Sequence, residues 1–306
     1  MTDEEKKSLF VAIVGRPNVG KSSILNNVIG QKIAIVSSKP QTTRNRIMGV
    51  LTDKNVQLVF TDTPGMHKPR NKLGDYMIKS VRKTVSGVDV CLLVVEAGKD
   101  ISNTERDLIS KFKNIEIPAI LVINKIDLVS DKSLLLNQIE KFSNEFKFEA
   151  VIPVSAKNKE GINELIEELK KMSLPGEHFF YDDMLTDQPE RKIVSEIIRE
   201  KILILLDKEI PHGVAVEIES MKEREGNNNL LDIDAVIYCE KESHKGILIG
   251  KKGNMLKQIG SYAREDIEKF FNCKVNLKLW AKVKEDWRNR ENILNNFGYN
   301  KKNLVD

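Results

Sequence analysis

Gly15-Arg16-Pro17-Asn18-Val19-Gly20-Lys21-Ser22, followed by Ser23, is the stretch that decides the fold. It fits G-x-x-x-x-G-K-[ST], with a strand-like run, Phe10–Val14, before it and a helical stretch, Ser22–Ile29, after it. The glycines let the backbone curl so that its N–H groups face phosphates. The helix N-terminus adds partial positive charge, Lys21 reaches β- and γ-phosphates, and Ser22 offers a hydroxyl to Mg²⁺. Outward from this loop, apolar runs at Val56–Phe60, Val90–Val95, Ile120–Ile123 and Ala150–Val154 read as further strands. Helical stretches at Lys132–Phe146 and Ile162–Met172 lie between or after them. The alternation predicts an α/β domain, a mostly parallel sheet with helices on both faces and its ligand at the C-terminal strand ends.

Those strand ends carry the rest of a nucleotide site. Phe60-Thr61-Asp62-Thr63-Pro64-Gly65 places Asp62 to hold Mg²⁺ through water and the Gly65 N–H to meet a γ-phosphate. Asn124-Lys125-Ile126-Asp127 selects guanine: the Asp127 carboxylate accepts from N1–H and N2–H₂, groups that adenine lacks. Asn124 contacts the other edge of the base, and Lys125 lays its stem along it. Ser155-Ala156-Lys157 ends the next strand, where the Ala156 N–H donates to guanine O6. Lys39-Pro40-Gln41-Thr42-Thr43-Arg44 supplies a threonine as a further Mg²⁺ ligand and γ-phosphate sensor, with Thr43 preferred and Thr42 the alternative. Met66 follows Gly65 where Ras-like GTPases carry a water-positioning glutamine, so no side chain is assigned as catalytic beyond the supporting Lys21, Thr43 and Gly65. GTP or GDP with Mg²⁺ are the expected ligands, hydrolysis should be slow, and Asn18 raises potassium as an additional cation.

The grammar changes after Leu174-Pro175-Gly176. A helical run from Ile193 to Leu206, a hairpin of Val214–Ile218 and Leu231–Tyr238 about a Gly226–Asn229 turn, a helix at Met255–Phe271 and a last strand follow. That strand sets Val275, Leu277, Leu279 and Val283 against Lys274, Lys278, Lys282 and Lys284. The order α-β-β-α-α-β with Gly250-Lys251-Lys252-Gly253 between the two central helices predicts a type II KH domain, whose loop lets an RNA backbone approach. From Ser243 to Arg264 there are five Lys or Arg and no Asp or Glu, which suits phosphates. The expected layout is a GTPase domain at 8–174, a linker at 175–190, the KH domain at 191–284 and a tail at 285–306.

The overall charge of +4 is too small to identify a partner. The three cysteines stand far apart in no metal-ligand spacing, which suits a reducing compartment. The longest apolar runs fall far short of a membrane span, and the N-terminus has no signal-peptide core, so a cytoplasmic protein is expected.

GRPNVGKSS, KPQTTR, FTDTPG, NKID, VSAK, VSEIIREKIL, VAVEIE, GILIGKKG and WRNRENILNNFGY together resemble the Era family, bacterial GTPases of small-ribosomal-subunit assembly. The resemblance runs from about Leu9 to Tyr299. It implies binding to the 3′ end of 16S ribosomal RNA, action on the 30S subunit, a monomer, and peripheral contact with the inner membrane face. An RNA-binding protein whose GTPase half regulates another RNA or a membrane-linked process is the alternative.

Overall fold

β1 (Lys7–Val14), β4 (Val90–Glu96) and β5 (Ala119–Asn124) are near-continuous apolar runs, the pattern of parallel strands covered on both faces. In the computed structural model, which describes residues 5–39, 41–64, 72–73, 77, 84, 87–207 and 210–299, they lie at the centre of a mostly parallel sheet. Its order is β2-β3-β1-β4-β5-β6, with β2 (Ile47–Asp53), β3 (Val56–Asp62) and β6 (Ala150–Val154) completing it. One face is closed by α1 (Lys21–Ile29) and α4 (Ile162–Met172), whose Ile24, Leu25, Val28, Leu165 and Leu169 join its core. The other is closed by α2 (Asn103–Ile115) and α3 (Lys132–Glu145) through Leu108, Ile109, Phe112 and Phe142. This is the α/β architecture expected.

Sequence periodicity had not singled out β2 or α2. β2 is the one antiparallel strand pairing with β3, and its Gly49 and Thr52 dilute the apolar pattern. α2 is polar, but it is anchored by a capping box in which Ser102 and Glu105 each satisfy the other's backbone N–H.

The chain divides into two compact units, the first from Met1–Ala34, Thr43–Lys68 and Met77–Asp187, the second from Ile35–Thr42, Pro69–Tyr76 and Gln188–Asp306. Much of the stretch read as a linker therefore belongs to the first unit. β7 (Leu174–Pro175) pairs with β1, and Val50 of the edge strand donates its N–H to the Leu185 carbonyl at 2.9 Å. The buried Gln57 amide accepts from the N–H groups of Phe179 and Phe180 at 2.8 and 3.0 Å and donates to the Phe180 carbonyl at 3.0 Å. A sheet edge leaves backbone groups unpaired, and this segment satisfies several of them.

The second unit follows the expected order: α5 (Glu190–Leu205), β8 (Ala215–Arg224), β9 (Asn227–Cys239), α6 (Glu242–Ile249), α7 (Asn254–Phe271) and β10 (Lys274–Val283). β9 runs antiparallel to β8 and parallel to β10. The hairpin turn is tighter than predicted, because β9 already begins at Asn227. Ile197, Ile198, Ile202, Ile233, Ile237, Ile259, Ala263 and Ile267 form the core. The residues after β10 close this unit: Trp287 is fully buried, donates Nε1–H to the Gly213 carbonyl at 2.9 Å, and meets the Phe297 and Tyr299 rings. No described helix is long and apolar enough to cross a membrane.

Candidate nucleotide site and nucleic-acid cleft

The turn from β1 into α1 is the phosphate loop. Gly20 lies at φ 101°, and a Cβ there would come within 2.1 Å of Asn124 Nδ2, so only glycine fits. A Cβ on Gly15 would meet the Val94 carbonyl oxygen at 2.3 Å. Asn18 is exposed at φ 64°, while Val19 is buried beneath the loop. Lys21 is buried, and its ammonium donates to the carbonyls of Gly15 and Arg16 at 3.2 and 2.9 Å. Burial pulls its pKa down to about 8, although Asp62 opposes the shift. The Arg16 side chain turns to α2: its Nε donates to the buried Glu105 at 2.8 Å, tying the loop to the N-terminus of α2.

At the end of β3, Asp62 is fully buried. Its Oδ2 accepts from Ser22 Oγ at 2.6 Å and from Thr43 Oγ1 at 3.5 Å, while Oδ1 is buried with no partner. Ser22 and Thr43 hydroxyls lie 2.9 Å apart. Burial pushes the Asp62 carboxyl up to about 6, against the lowering influence of Lys21 and its hydrogen bonds. A hard divalent cation takes oxygen ligands, and two hydroxyls with an orphaned carboxylate oxygen fit one. Thr43 is the threonine of this cluster. Thr42 is committed to its own loop, donating to the Lys39 carbonyl at 2.6 Å with its Oγ1 2.8 Å from Ser37 Oγ. Thr63 anchors to β1 through the Ile13 carbonyl at 2.9 Å, and Pro64 is buried beside it. Gly65, Met66 and Pro40 lie outside the described residues.

Asn124 joins three loops. Its Nδ2 donates to the Val19 carbonyl at 2.7 Å, and its Oδ1 accepts the Ala156 N–H at 3.0 Å. Asp127 is exposed, with Oδ1 held by Ser155 Oγ at 2.7 Å. Lys125 sits at φ 69° in the turn before Ile126, its Nζ paired to Glu96 at 2.6 Å, and Lys157 is exposed. Sequence reasoning missed Asn27, whose Nδ2 donates to the Ala156 carbonyl at 2.6 Å. The Ala156 N–H and carbonyl are therefore held by Asn124 and Asn27, so the N–H expected to donate to guanine O6 is engaged within the protein instead. Helical position was the available signal: Asn27 stands six residues after Lys21 on α1.

In the second unit, the loop between α6 and α7 has Gly250 at φ 73°, Lys252 at 52° and Gly253 at 80°. A Cβ on Gly250 would strike Met255 at 2.7 Å, whereas Gly253 faces open space. Lys251 and Lys252 are exposed. Beside the loop, α7 and β10 enclose a cleft of about 480 Å³ that includes Gly253, Lys257, Arg264 and Leu279.

Residues 10–125 match the family model described as a 50S ribosome-binding GTPase, and 209–288 match that of the KH domain. A GTPase Era of Clostridioides difficile is 51% identical over 296 residues, spanning 97% of this chain and 99% of that relative. The chain belongs to the Era family of GTPases. The GTPase Era of Ruminiclostridium cellulolyticum is 52% identical, spanning 96% of this chain and 97% of its own. A crystal structure of Era in complex with MgGDPNP and nucleotides 1506–1542 of 16S ribosomal RNA is similar at a TM-score of 0.91 and 38% identity, over 96% of this chain and 99% of that one. An Aquifex aeolicus Era variant bound to GDP and AlF4⁻ matches with the same TM-score and identity.

Proposed function

We propose that this Era-family chain is a GTP-hydrolysing switch that holds the single-stranded 3′ end of 16S ribosomal RNA in its KH unit and acts in assembly of the 30S subunit. The observation that carries this reading is the coexistence of two intact sites. The orphaned Asp62 oxygen sits between the Ser22 and Thr43 hydroxyls in one unit, and an exposed Gly250–Gly253 loop opens onto a basic cleft in the other. Ser22, Thr43 and Asp62 would hold Mg²⁺, which neutralises phosphate charge when bound. Lys21 and the loop N–H groups bind and orient the β- and γ-phosphates. The Asp127 carboxylate recognises guanine through N1–H and N2–H₂. Met66 cannot orient an attacking water, so hydrolysis is slow without a partner. Assembling 30S particles set its place of work in the cytoplasm, with peripheral contact on the inner membrane face a further expectation.

Titration of labelled RNA from the 3′ end of 16S ribosomal RNA tests the reading. Replacing Lys251 and Lys252 together by Asp should weaken binding by roughly 100-fold and flatten its salt dependence, because like charges then face the phosphates. Affinity for Mg·GTP should be unchanged, since the phosphate loop belongs to the other unit. Undiminished, salt-insensitive binding would move the RNA site elsewhere, first to the Lys274–Lys284 strand.

A further inference from the structure

We propose that Asn27 is a positioning residue for guanine recognition: its amide holds the loop of Ser155-Ala156-Lys157 so that Ser155 aims the Asp127 carboxylate at the base. The inference rests on the guanine reading above and adds the residue that keeps its carboxylate in place. Asparagine is a poor helix former, because its side chain competes for nearby backbone groups, and Asn27 stands inside the nine-residue α1. The residue is half-buried rather than fully solvated. Its Nδ2 reaches out of the helix to the Ala156 carbonyl, 2.6 Å away and 129 positions on in the chain.

The loop that Asn27 holds lies between β6 and α4. Ser155 and Glu160 close it on itself, each donating its N–H to the other's carbonyl at 3.1 Å. That closure shapes the loop without fixing it to its neighbours. Among the described residues, three side-chain hydrogen bonds do so. Asn27 takes the Ala156 carbonyl, Asn124 takes the Ala156 N–H at 3.0 Å, and Ser155 Oγ donates to Asp127 Oδ1 at 2.7 Å. The first two fix the loop to α1 and to the end of β5, and the third passes that position on to Asp127. Asp127 is exposed, so packing does not orient its carboxylate. With one oxygen held by Ser155, the other is left to accept from the base. α1 therefore carries phosphate-binding groups at its start, Lys21 and Ser22, and an anchor of the base loop at Asn27. Removing the Asn27 amide loosens the loop on the helix side and leaves the Ala156 carbonyl without its donor.

The full chain tests this through the ratio of its affinities for GDP and for inosine diphosphate, which keeps N1–H and O6 but lacks the 2-amino group. Wild type should prefer GDP. Asn27→Ala should cut that preference roughly three- to tenfold, the span of one hydrogen bond's net contribution, because a loose Asp127 no longer meets the 2-amino group. Asn27→Asp keeps the shape but removes the donor, so it should do the same. Melting temperatures, read alongside, should stay close to wild type, since alanine suits a helix. Asn26→Ala is the control: on the same helix it breaks the bonds from the Ile33 and Ala34 N–H groups and should leave the ratio at its wild-type value. A wild-type ratio in Asn27→Ala would overturn the inference. So would equal losses of both nucleotides, or a fall that comes with a large drop in melting, the marks of a merely structural defect. A wild-type ratio in Asn27→Asp would assign the effect to packing, and an equal fall in Asn26→Ala would assign it to α1 as a whole; either overturns it. Should Asp127→Asn lose the preference for GDP while Asn27→Ala keeps it, the guanine reading stands and this inference falls. No preference for GDP in wild type would sink both.

Discussion

Asp62 and Lys21 are both buried, and burial shifts each toward its neutral form, Asp62 to about 6 and Lys21 to about 8. The folded carboxyl titrates above its unfolded value, so its contribution to stability is full in acid and is lost as pH rises through about 6. The ammonium titrates below its unfolded value, so its contribution is present in strong base and is lost as pH falls through about 8. Near pH 7 the ligand-free site thus holds two disfavoured charges, which phosphates and Mg²⁺ relieve. Preformed Mg·GTP should release protons on binding below about pH 6, as Asp62 loses its own, and near pH 8 the sign should reverse as Lys21 takes up a fraction of a proton. Calorimetry in buffers of different ionisation enthalpy reads both. Asp62→Asn should abolish the acid-side release, and release that persists in that variant would assign it to another group. The base loop allows an equally sharp substitution. Asp127→Asn keeps an Oδ1 to accept from Ser155 Oγ but turns the other oxygen into a donor. GTP affinity should fall by roughly two to three orders of magnitude while xanthosine triphosphate, with its 2-oxo acceptor, gains. Unaltered GTP affinity would remove Asp127 from the guanine contact.

Among the elements, the segment after β10 is the one whose packing the sequence concealed. Its apolar residues, Trp287, Leu294, Phe297 and Tyr299, are buried but too widely spaced for a long periodic helix, so they read as a tail. Their ring contacts continue to Tyr238 on β9, over which Lys284 places its ammonium at 5.0 Å. Trp287→Ala should destabilise the second unit by about 3–5 kcal/mol. The chain has two tryptophans, so the remaining Trp280 on β10 reports that unfolding by fluorescence in urea. An unchanged midpoint would show that the segment merely rests on the surface. The strands were legible for the opposite reason. β4 and β5 are buried along almost their whole length, so hydrophobicity alone marks them. The phosphate loop and guanine motif were legible because close backbone approach admits few residues, as at Gly20 against Asn124. Asn27, Glu105 and Gln57 were not, since each acts through a partner 89 or more residues distant that only the fold brings near: residue 156, residue 16 beyond the near contact at 102, and residues 179–180 beyond the near contact at 52.

At the scale of the whole molecule, each unit builds its site around a glycine-bearing turn, the phosphate loop in one and Gly250–Gly253 in the other. The order of the first sheet has a consequence for making the protein. β1 is among the first strands in the chain, yet it lies between β3 and β4 and also receives β7, so every partner it has comes later. Roughly 75 residues separate the end of β1 from the start of β4. At about 5–20 residues per second, that is roughly 4–15 s in which a strand reading KSLFVAIV has been translated but not enclosed. During each round of synthesis the nascent chain therefore carries an apolar, β-prone segment that must be shielded before the phosphate loop attached to it can form.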